Sequence, residues 1–540
     1  MLTYILFGWS TQYYTQVPNW QWAKGAIGSG AESGNAVSID TQGNSYVTGY
    51  FYSTTIVFGS YTLTNKGNYD VFIVKYDVSG NILWAKSAGG IYDDVGLSVA
   101  ADGSGNIYVT GYFYSPTIIV GTQTLTNSGA SDIFITKYDT LGNELWTTVA
   151  GGTSDDACNS ITINTSGSIF ITGIFKSAPL VLGTYTLTNT GSDDAFIAKI
   201  DGSGTIIWAK STNGSASDGA NSIATDALGN VFVSGFFTST TFALDTYTLI
   251  NTGNSDIFIV KYDTMGNTLW AKSSGGTYND KSYGLAVDGN GNVFLSGTFF
   301  SPTLTLATFT LANTGNFDFF VAKYDTFGNA IWVNGEGGFY DDTALGIAAD
   351  GAGNVFVTGH FHSPSITLGS YTLSNNGIGD VYIVKYDATG NVVWATSAGG
   401  ISDDGSSSLA LDITGSIVIT GYFISPTVVF PSNTLTNTGN EDMFVAKLSN
   451  TISTKINDVE VTNEAFLVYP NPSNGFFNIT SKELKVEEIE IFNQLGERIY
   501  LAACQPTNYL TVNLLNQASG IYYIKIKSGE RLASKIITIL

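Results

Sequence analysis

Asp94-Val-Gly-Leu-Ser-Val-Ala-Ala-Asp102-Gly-Ser-Gly-Asn106-Ile-Tyr-Val-Thr-Gly-Tyr-Phe113 is followed, after a longer connection, by Ile133-Phe-Ile-Thr-Lys-Tyr138-Asp-Thr-Leu-Gly-Asn143-Glu-Leu-Trp146-Thr-Thr-Val149. Four short runs rich in β-branched and aromatic residues stand out: Gly96–Ala101, Ile107–Phe113, Ile133–Tyr138 and Glu144–Val149. Gly, Asn and Asp bound each of them, the pattern of strands joined by tight turns. Several runs are apolar at consecutive positions, so both faces of the sheet are expected to be buried.

The unit recurs every 62 residues without insertion or deletion. Trp22, Trp84, Trp146, Trp208, Trp270, Trp332 and Trp394 mark the period, as do Gly49, Gly111, Gly173, Gly235, Gly297, Gly359 and Gly421. Phe51, Phe113, Phe175, Phe237, Phe299, Phe361 and Phe423 repeat with it, and so do Lys75, Lys137, Lys199, Lys261, Lys323, Lys385 and Lys447. No segment has a 3.6-residue period over ten or more positions, which excludes a helical solenoid. An open β-solenoid needs capping repeats at its ends. Here the ends complement each other instead. Trp22-Ala-Lys24 is a fourth strand without a first three, and the last unit, Leu409–Asp412, Ser416–Phe423 and Asp442–Leu448, lacks a fourth. The expected fold is all-β: a seven-bladed β-propeller over 19–449, closed by the N-terminal strand, with a small β-sandwich at 464–540.

The runs Leu97-Ser-Val-Ala-Ala-Asp102, Gly105-Asn-Ile-Tyr-Val-Thr-Gly-Tyr-Phe113, Asp132-Ile-Phe-Ile-Thr-Lys-Tyr-Asp139 and Gly142-Asn-Glu-Leu-Trp146 resemble the bacterial propeller repeats known as SBBP repeats. The resemblance covers roughly 19–450 and implies architecture, with little about substrate. The turn Tyr138–Trp146 also loosely resembles the Asp-box of sialidase propellers, one residue longer. The arginines with which those enzymes hold a carboxylate are missing from the repeats.

Charge divides the chain. Residues 1–450 hold 35 acidic and 14 basic side chains, whereas 451–540 hold 9 and 8, out of a net charge of −22. A long acidic segment without arginine is unsuited to nucleic acid or an anionic membrane surface. No apolar run is long enough for a membrane-spanning helix. Met1–Trp9 is apolar but lacks a basic n-region, so residues 1–18 read as a signal-peptide remnant or as a ragged terminus. Cys158 and Cys504, the only cysteines, fall in different expected domains.

The repeat register stops at Asn450-Thr-Ile-Ser-Thr-Lys-Ile-Asn-Asp458, read as part of a linker over 450–463. Beyond it come Tyr469-Pro-Asn-Pro-Ser-Asn-Gly475, a hairpin through Asn493–Gly496, and strands at Gly520–Ile526 and Ala533–Ile539. These landmarks resemble the type A C-terminal sorting domain of type IX secretion cargo. The resemblance implies export across the outer membrane of a Bacteroidota-type bacterium, with the type IX machinery as partner of 464–540. A secreted or outer-membrane-attached location follows from it.

Most aspartates of the repeats fill fixed positions. Those at the turns, such as Asp102 and Asp139, accept backbone N–H bonds. Glu32, Asp94, Asp156, Asp218, Asp280, Asp342 and Asp404 are acidic in every blade, and Asp70, Asp132, Asp194, Asp256, Asp318, Asp380 and Asp442 open the third strands. Alternation puts both sets at the end carrying the blade-to-blade loops. They are expected to be bonded locally or, for the first set, to hold calcium blade by blade. His360 and His362, two apart on one strand, share a face and could share a metal. No Gly-x-Ser-x-Gly elbow occurs, and no carboxylate pair breaks the repeat. The expected function is therefore non-enzymatic binding or adhesion, with glycans or surface proteins as ligands. The alternative is an extracellular polysaccharide hydrolase or lyase. The insertions between second and third strands, such as Ser115–Gly129, are expected to form hairpins standing off the ring at the ligand face.

Overall fold

In the computed structural model, the described residues are 18–431, 433–450, 466–481, 485–493, 498–528 and 531–540. The proposed signal remnant, the linker apart from Asn450, and most of the Asn493–Gly496 turn lie outside them. The chain divides into two compact units, Met1–Ser453 and Thr454–Leu540. Among the described residues no helix is long and apolar enough to cross a membrane.

The first unit repeats one antiparallel sheet of four strands, the arrangement of propeller blades. In the second blade these are Asp94–Ala101, Ile107–Phe113, Asp132–Tyr138 and Glu144–Ala150, hydrogen-bonded in chain order. Second and third strands are buried on both faces, while the fourth keeps an open side. Consecutive apolar residues suit the middle of a sandwiched sheet, and that is where Ile107–Phe113 and Ile133–Tyr138 lie. The first strands of successive sheets lie side by side, and that of the last repeat, Asp404–Leu411, also touches that of the first, Glu32–Ile39.

The repeated small residues answer close approaches. The first strand bulges between Gly96 and Ser98, opposite Gly111. A Cβ on Gly111 would stand 1.9 Å from the Val95 carbonyl oxygen, so no side chain fits there. Gly142, in the turn before the fourth strand, has φ +79° and lies on the indole of Trp84 from the preceding blade, 2.9 Å from a would-be Cβ. Both constraints select glycine.

That turn also explains the tryptophans and lysines. Six tryptophans donate their indole N–H to a turn carbonyl of the next blade at 3.0–3.4 Å, as Trp84 does to Thr140. Lys75, from the same blade as Trp84, donates to the same Thr140 oxygen at 3.1 Å, with its ammonium 5.0 Å from the Tyr46 ring centroid. Each such latch contributes about 1 kcal/mol per hydrogen bond and a similar amount per cation–π contact.

Trp20–Gly25 pairs with Asp442–Leu448, so the N-terminal strand is the outer strand of the last sheet. The Glu32 N–H bonds the Glu441 carbonyl at 2.9 Å, joining the first blade to the seventh.

The insertions do form hairpins, such as Thr117–Val120 with Gln123–Thr126, but they do not stand off the array. Ile118, Val120 and Leu125 are buried, while Ile119 bridges Gly89 of the preceding blade. In the first blade the Tyr61 hydroxyl reaches the Leu83 carbonyl of its own fourth strand at 2.6 Å. Alternating apolar residues gave each hairpin a face that needed cover. It serves as a clip between neighbouring outer strands.

In the second unit, Leu467–Tyr469, Phe476–Thr480 and Tyr509–Asn513 form one sheet. Val486–Phe492, Arg498–Thr507, Gly520–Ser528 and Arg531–Ile539 form another. Phe477 and Val512 from the first share a core with Ile489, Ile524 and Ile537 from the second.

Candidate functional site

The acidic series comes to one end of the blades, as alternation requires. Asp94 and Asp132 both pair with Phe113 at the end of the second strand. Asp94 is buried and accepts the Ser115 N–H at 3.2 Å, the Ser115 hydroxyl at 2.7 Å and the Gly90 N–H at 2.7 Å. Ser177, Ser239, Ser301, Ser363 and Ser425 bond Asp156, Asp218, Asp280, Asp342 and Asp404 in the same way. Ser53 does so for Glu32. Burial pushes Asp94 up to about 6 against these bonds. The seven acids are thus held one per blade, each by its own serine. Among the described residues no group of three or more His, Cys, Asp or Glu could hold a metal ion.

The third-strand aspartates use one oxygen each. Asp132 Oδ2 accepts the Ser128 N–H and hydroxyl at 2.9 and 2.7 Å, whereas Oδ1 is buried without a hydrogen-bond partner. It rests on Gly151, where an added Cβ would be 2.1 Å away.

His360 and His362 have separate partners. Both ring nitrogens of His362 face acceptors, the Asp341 carbonyl at 3.0 Å and Asp403 Oδ1 at 3.1 Å. The bond to Asp403 raises the His362 pKa, and an oxygen faces each ring nitrogen. Burial pushes His360 down to about 4, and its Nδ1 lies 3.2 Å from the Thr343 hydroxyl. With both His362 nitrogens occupied, the pair does not present a shared metal site. Asp403 belongs to the next blade, a neighbour that spacing along one strand does not reveal.

Two of the cavities at this end correspond to each other. One, of about 510 Å³, is lined by Tyr340, Asp341, His362, Pro364, Asn375, Gly377 and Ile378. The other, of about 490 Å³, is lined by Tyr92, Asp93, Tyr114, Pro116, Asn127, Gly129 and Ala130, with Asn68. Position for position they are the same site four repeats apart, with His362 in place of Tyr114 and Ile378 in place of Ala130. Tyr92, Tyr114 and Tyr340 are 50%, 38% and 48% exposed, with aromatic surface turned to solvent.

An asparagine buckle builds the wall of each. Asn127 Nδ2 donates to the Phe113 and Ala130 carbonyls at 3.0 and 2.9 Å, and its Oδ1 accepts the Gly129 N–H at 2.8 Å. Asn375 makes the same three bonds. The Asn65, Asn127, Asn189, Asn251, Asn313, Asn375, Asn437 series and the serine series follow the 62-residue period. That period was the signal from which both were legible. At the opposite end, single apolar tips such as Leu141, Met265 and Phe327 are exposed on short turns.

Residues 467–539 match the family described as secretion system C-terminal sorting domain. An uncharacterized WD repeat-containing protein of Acanthamoeba polyphaga mimivirus is 25% identical over 536 residues, which cover 81% of this chain and 39% of that protein. The regulatory protein FlaEY of Caulobacter vibrioides is 28% identical over 309 residues, 52% of this chain and 32% of that protein. The chain thus spans about a third to two fifths of the length of these relatives. The Neurospora crassa Pan2 WD40 domain is similar at 10% identity and a TM-score of 0.38, covering 78% of this chain and 90% of that domain. The C-terminal unit is therefore a secretion-system sorting domain, carried behind an array of propeller-like sheets.

Proposed function

We propose that the protein is an exported, seven-bladed, SBBP-type propeller that binds extracellular glycans through the end bearing the blade-to-blade loops. One observation carries this reading: the same tyrosine- and carboxylate-lined cavity occurs twice in repeat register, at Tyr92–Asp93–Tyr114 and at Tyr340–Asp341–His362. Cavities of this size, with aromatic walls and a few polar groups, suit small ligands. Exposed tyrosine offers a flat apolar face and a polar tip. Asp93 and Asp341 supply acceptors for hydroxyl groups. The acidic array disfavours polyanions, so the glycan is neutral or amine-bearing.

Repetition favours binding over catalysis. A reaction needs uniquely placed groups, whereas near-copies on a rigid scaffold add avidity for a repetitive polymer. In this reading the seven buried acids are internal acceptors that tie strand ends together, and calcium has no part in binding. The C-terminal sandwich directs export to the medium or the cell surface.

The test is a glycan and surface-protein array probed with the full chain and with a Tyr92→Ala/Tyr340→Ala variant. The expected result is glycan retention that falls at least tenfold in the variant, at unchanged melting temperature. Retention unaffected by the pair of substitutions would overturn the choice of face. Turnover of a retained polysaccharide, read as new reducing ends, would move the reading to hydrolase or lyase.

A further inference from the structure

The cavity at Tyr92 has a close neighbour. A second cavity, of about 280 Å³, opens at the junction of the second and third blades, and Tyr114 lines both. Tyr114 is held there by its hydroxyl, which donates to Asp155 Oδ1 at 3.0 Å. Lys176 stands beyond it, 3.5 Å from Asp155 Oδ2 and 3.8 Å from Asp193 Oδ1. The other blades carry Tyr52, Tyr114, Thr238, Phe300, His362 or Ile424 where the third has Lys176. Only there does an ammonium group join the wall.

We propose that these two cavities form one groove for a linear, neutral oligosaccharide, which makes the first three blades the principal site of the array. The inference rests on the loop end being the binding face and deepens it. One sugar ring lies between Tyr92 and Tyr114, and the chain continues across Tyr114 to place the next ring against Asp155 and Lys176. A hydroxyl both donates and accepts, and a wall that alternates carboxylate and ammonium satisfies both roles. Four carboxylates, Asp93, Asp155, Asp156 and Asp193, line the two cavities against the one lysine, Lys176, which disfavours uronic or sulfated chains.

The experiment is calorimetric titration of the full chain with glucose, cellobiose and cellotetraose, and with the matching β-1,3- and α-1,4-linked series. At least one series should gain tenfold or more in affinity from monosaccharide to tetrasaccharide. Tyr114→Ala should remove that gain, and Lys176→Met should weaken the tetrasaccharide without changing the monosaccharide. Tyr340→Ala should cost the tetrasaccharide several-fold less affinity than Tyr114→Ala does. Equal affinity for short and long sugars, or a tetrasaccharide indifferent to Tyr114→Ala, would overturn the groove. Equal losses from Tyr114→Ala and Tyr340→Ala would also overturn it, while leaving the loop end as the binding face. If no saccharide binds but a surface protein is lost on Tyr92→Ala, the groove fails and the face stands.

Discussion

Replacing Glu32 by Gln is expected to strengthen the junction between first and last blades at neutral pH. Elsewhere an aspartate fills this position, and in five of those six blades it accepts three donors, as Asp94 does from Ser115 and Gly90. At the junction, the Gly28 N–H instead bonds Thr438 Oγ1 at 3.2 Å, and Glu32 keeps only Ser53 on Oε1. Its Oε2 is buried without a donor and lies against Asp442, whose Oδ1 also lacks one. Asp442 Oδ2 is already taken by the Thr438 N–H and hydroxyl at 2.7 and 2.9 Å. Two such oxygens are reconciled only by a proton between them. Burial first, and then Asp442, push Glu32 from 4.5 up to about 7.

A carboxyl whose pKa is raised on folding contributes most at low pH and loses that contribution as the pH rises from its unfolded to its folded value. The window is therefore from about 4.5 to about 7, and the loss above it is about 3 kcal/mol. The Gln amide donates to Asp442 at every pH and still accepts from Ser53. Melting curves should nearly coincide at pH 5, with the variant about 3–6 °C higher at pH 8. Asp94→Asn should lower the melting temperature at both, because it surrenders an acceptor used three times. A Glu32→Gln effect that is negative, or the same at pH 5 and pH 8, would refute the shared proton.

Three further outcomes follow from particular residues. Glu336 occupies a position held by Ala, Ser or Thr in the other blades, its Oε2 is buried without a partner, and burial pushes it up to about 7. Glu336→Ala should raise the melting temperature at pH 8 and do little at pH 5. Ala307 sits at φ +53° in a hairpin turn where four other blades place glycine, so Ala307→Gly should stabilise by about 0.5–1 kcal/mol in denaturant titration. Millimolar calcium in place of EDTA, at constant ionic strength, should move the melting temperature by less than about 1 °C, because each buried acid already has local donors. A rise of several degrees would restore the cation reading.

The period of 62 residues made the architecture legible before any coordinates, including the split last sheet, because tryptophan and glycine are irreplaceable where they sit. Trp84 and Lys75 could be seen to repeat, but not why. Their common partner, the Thr140 carbonyl, lies 56 and 65 residues away on the next blade. The hairpins were misjudged for a different reason. Ile118, Val120 and Leu125 form an apolar face, which argues for burial against a neighbour and not for projection into solvent. The site was least legible. Tyr92, Tyr278 and Tyr340 share a repeat position that holds Gly, Ser or Ala in the other blades, and such variation reads as drift until adjacent blades are set together. His362 resembles a metal ligand in isolation, yet both its nitrogens face oxygens, one of them Asp403 of the next blade.

The most direct test of the binding face is hydrogen–deuterium exchange of the full chain with and without a retained polysaccharide. The account predicts slowed exchange at 90–94, 114–116 and 127–130, and at 338–342, 362–364 and 375–378, with the short turns at 139–143 and 387–391 unchanged. Protection concentrated at those short turns, with the loop-end segments unaffected, would contradict it.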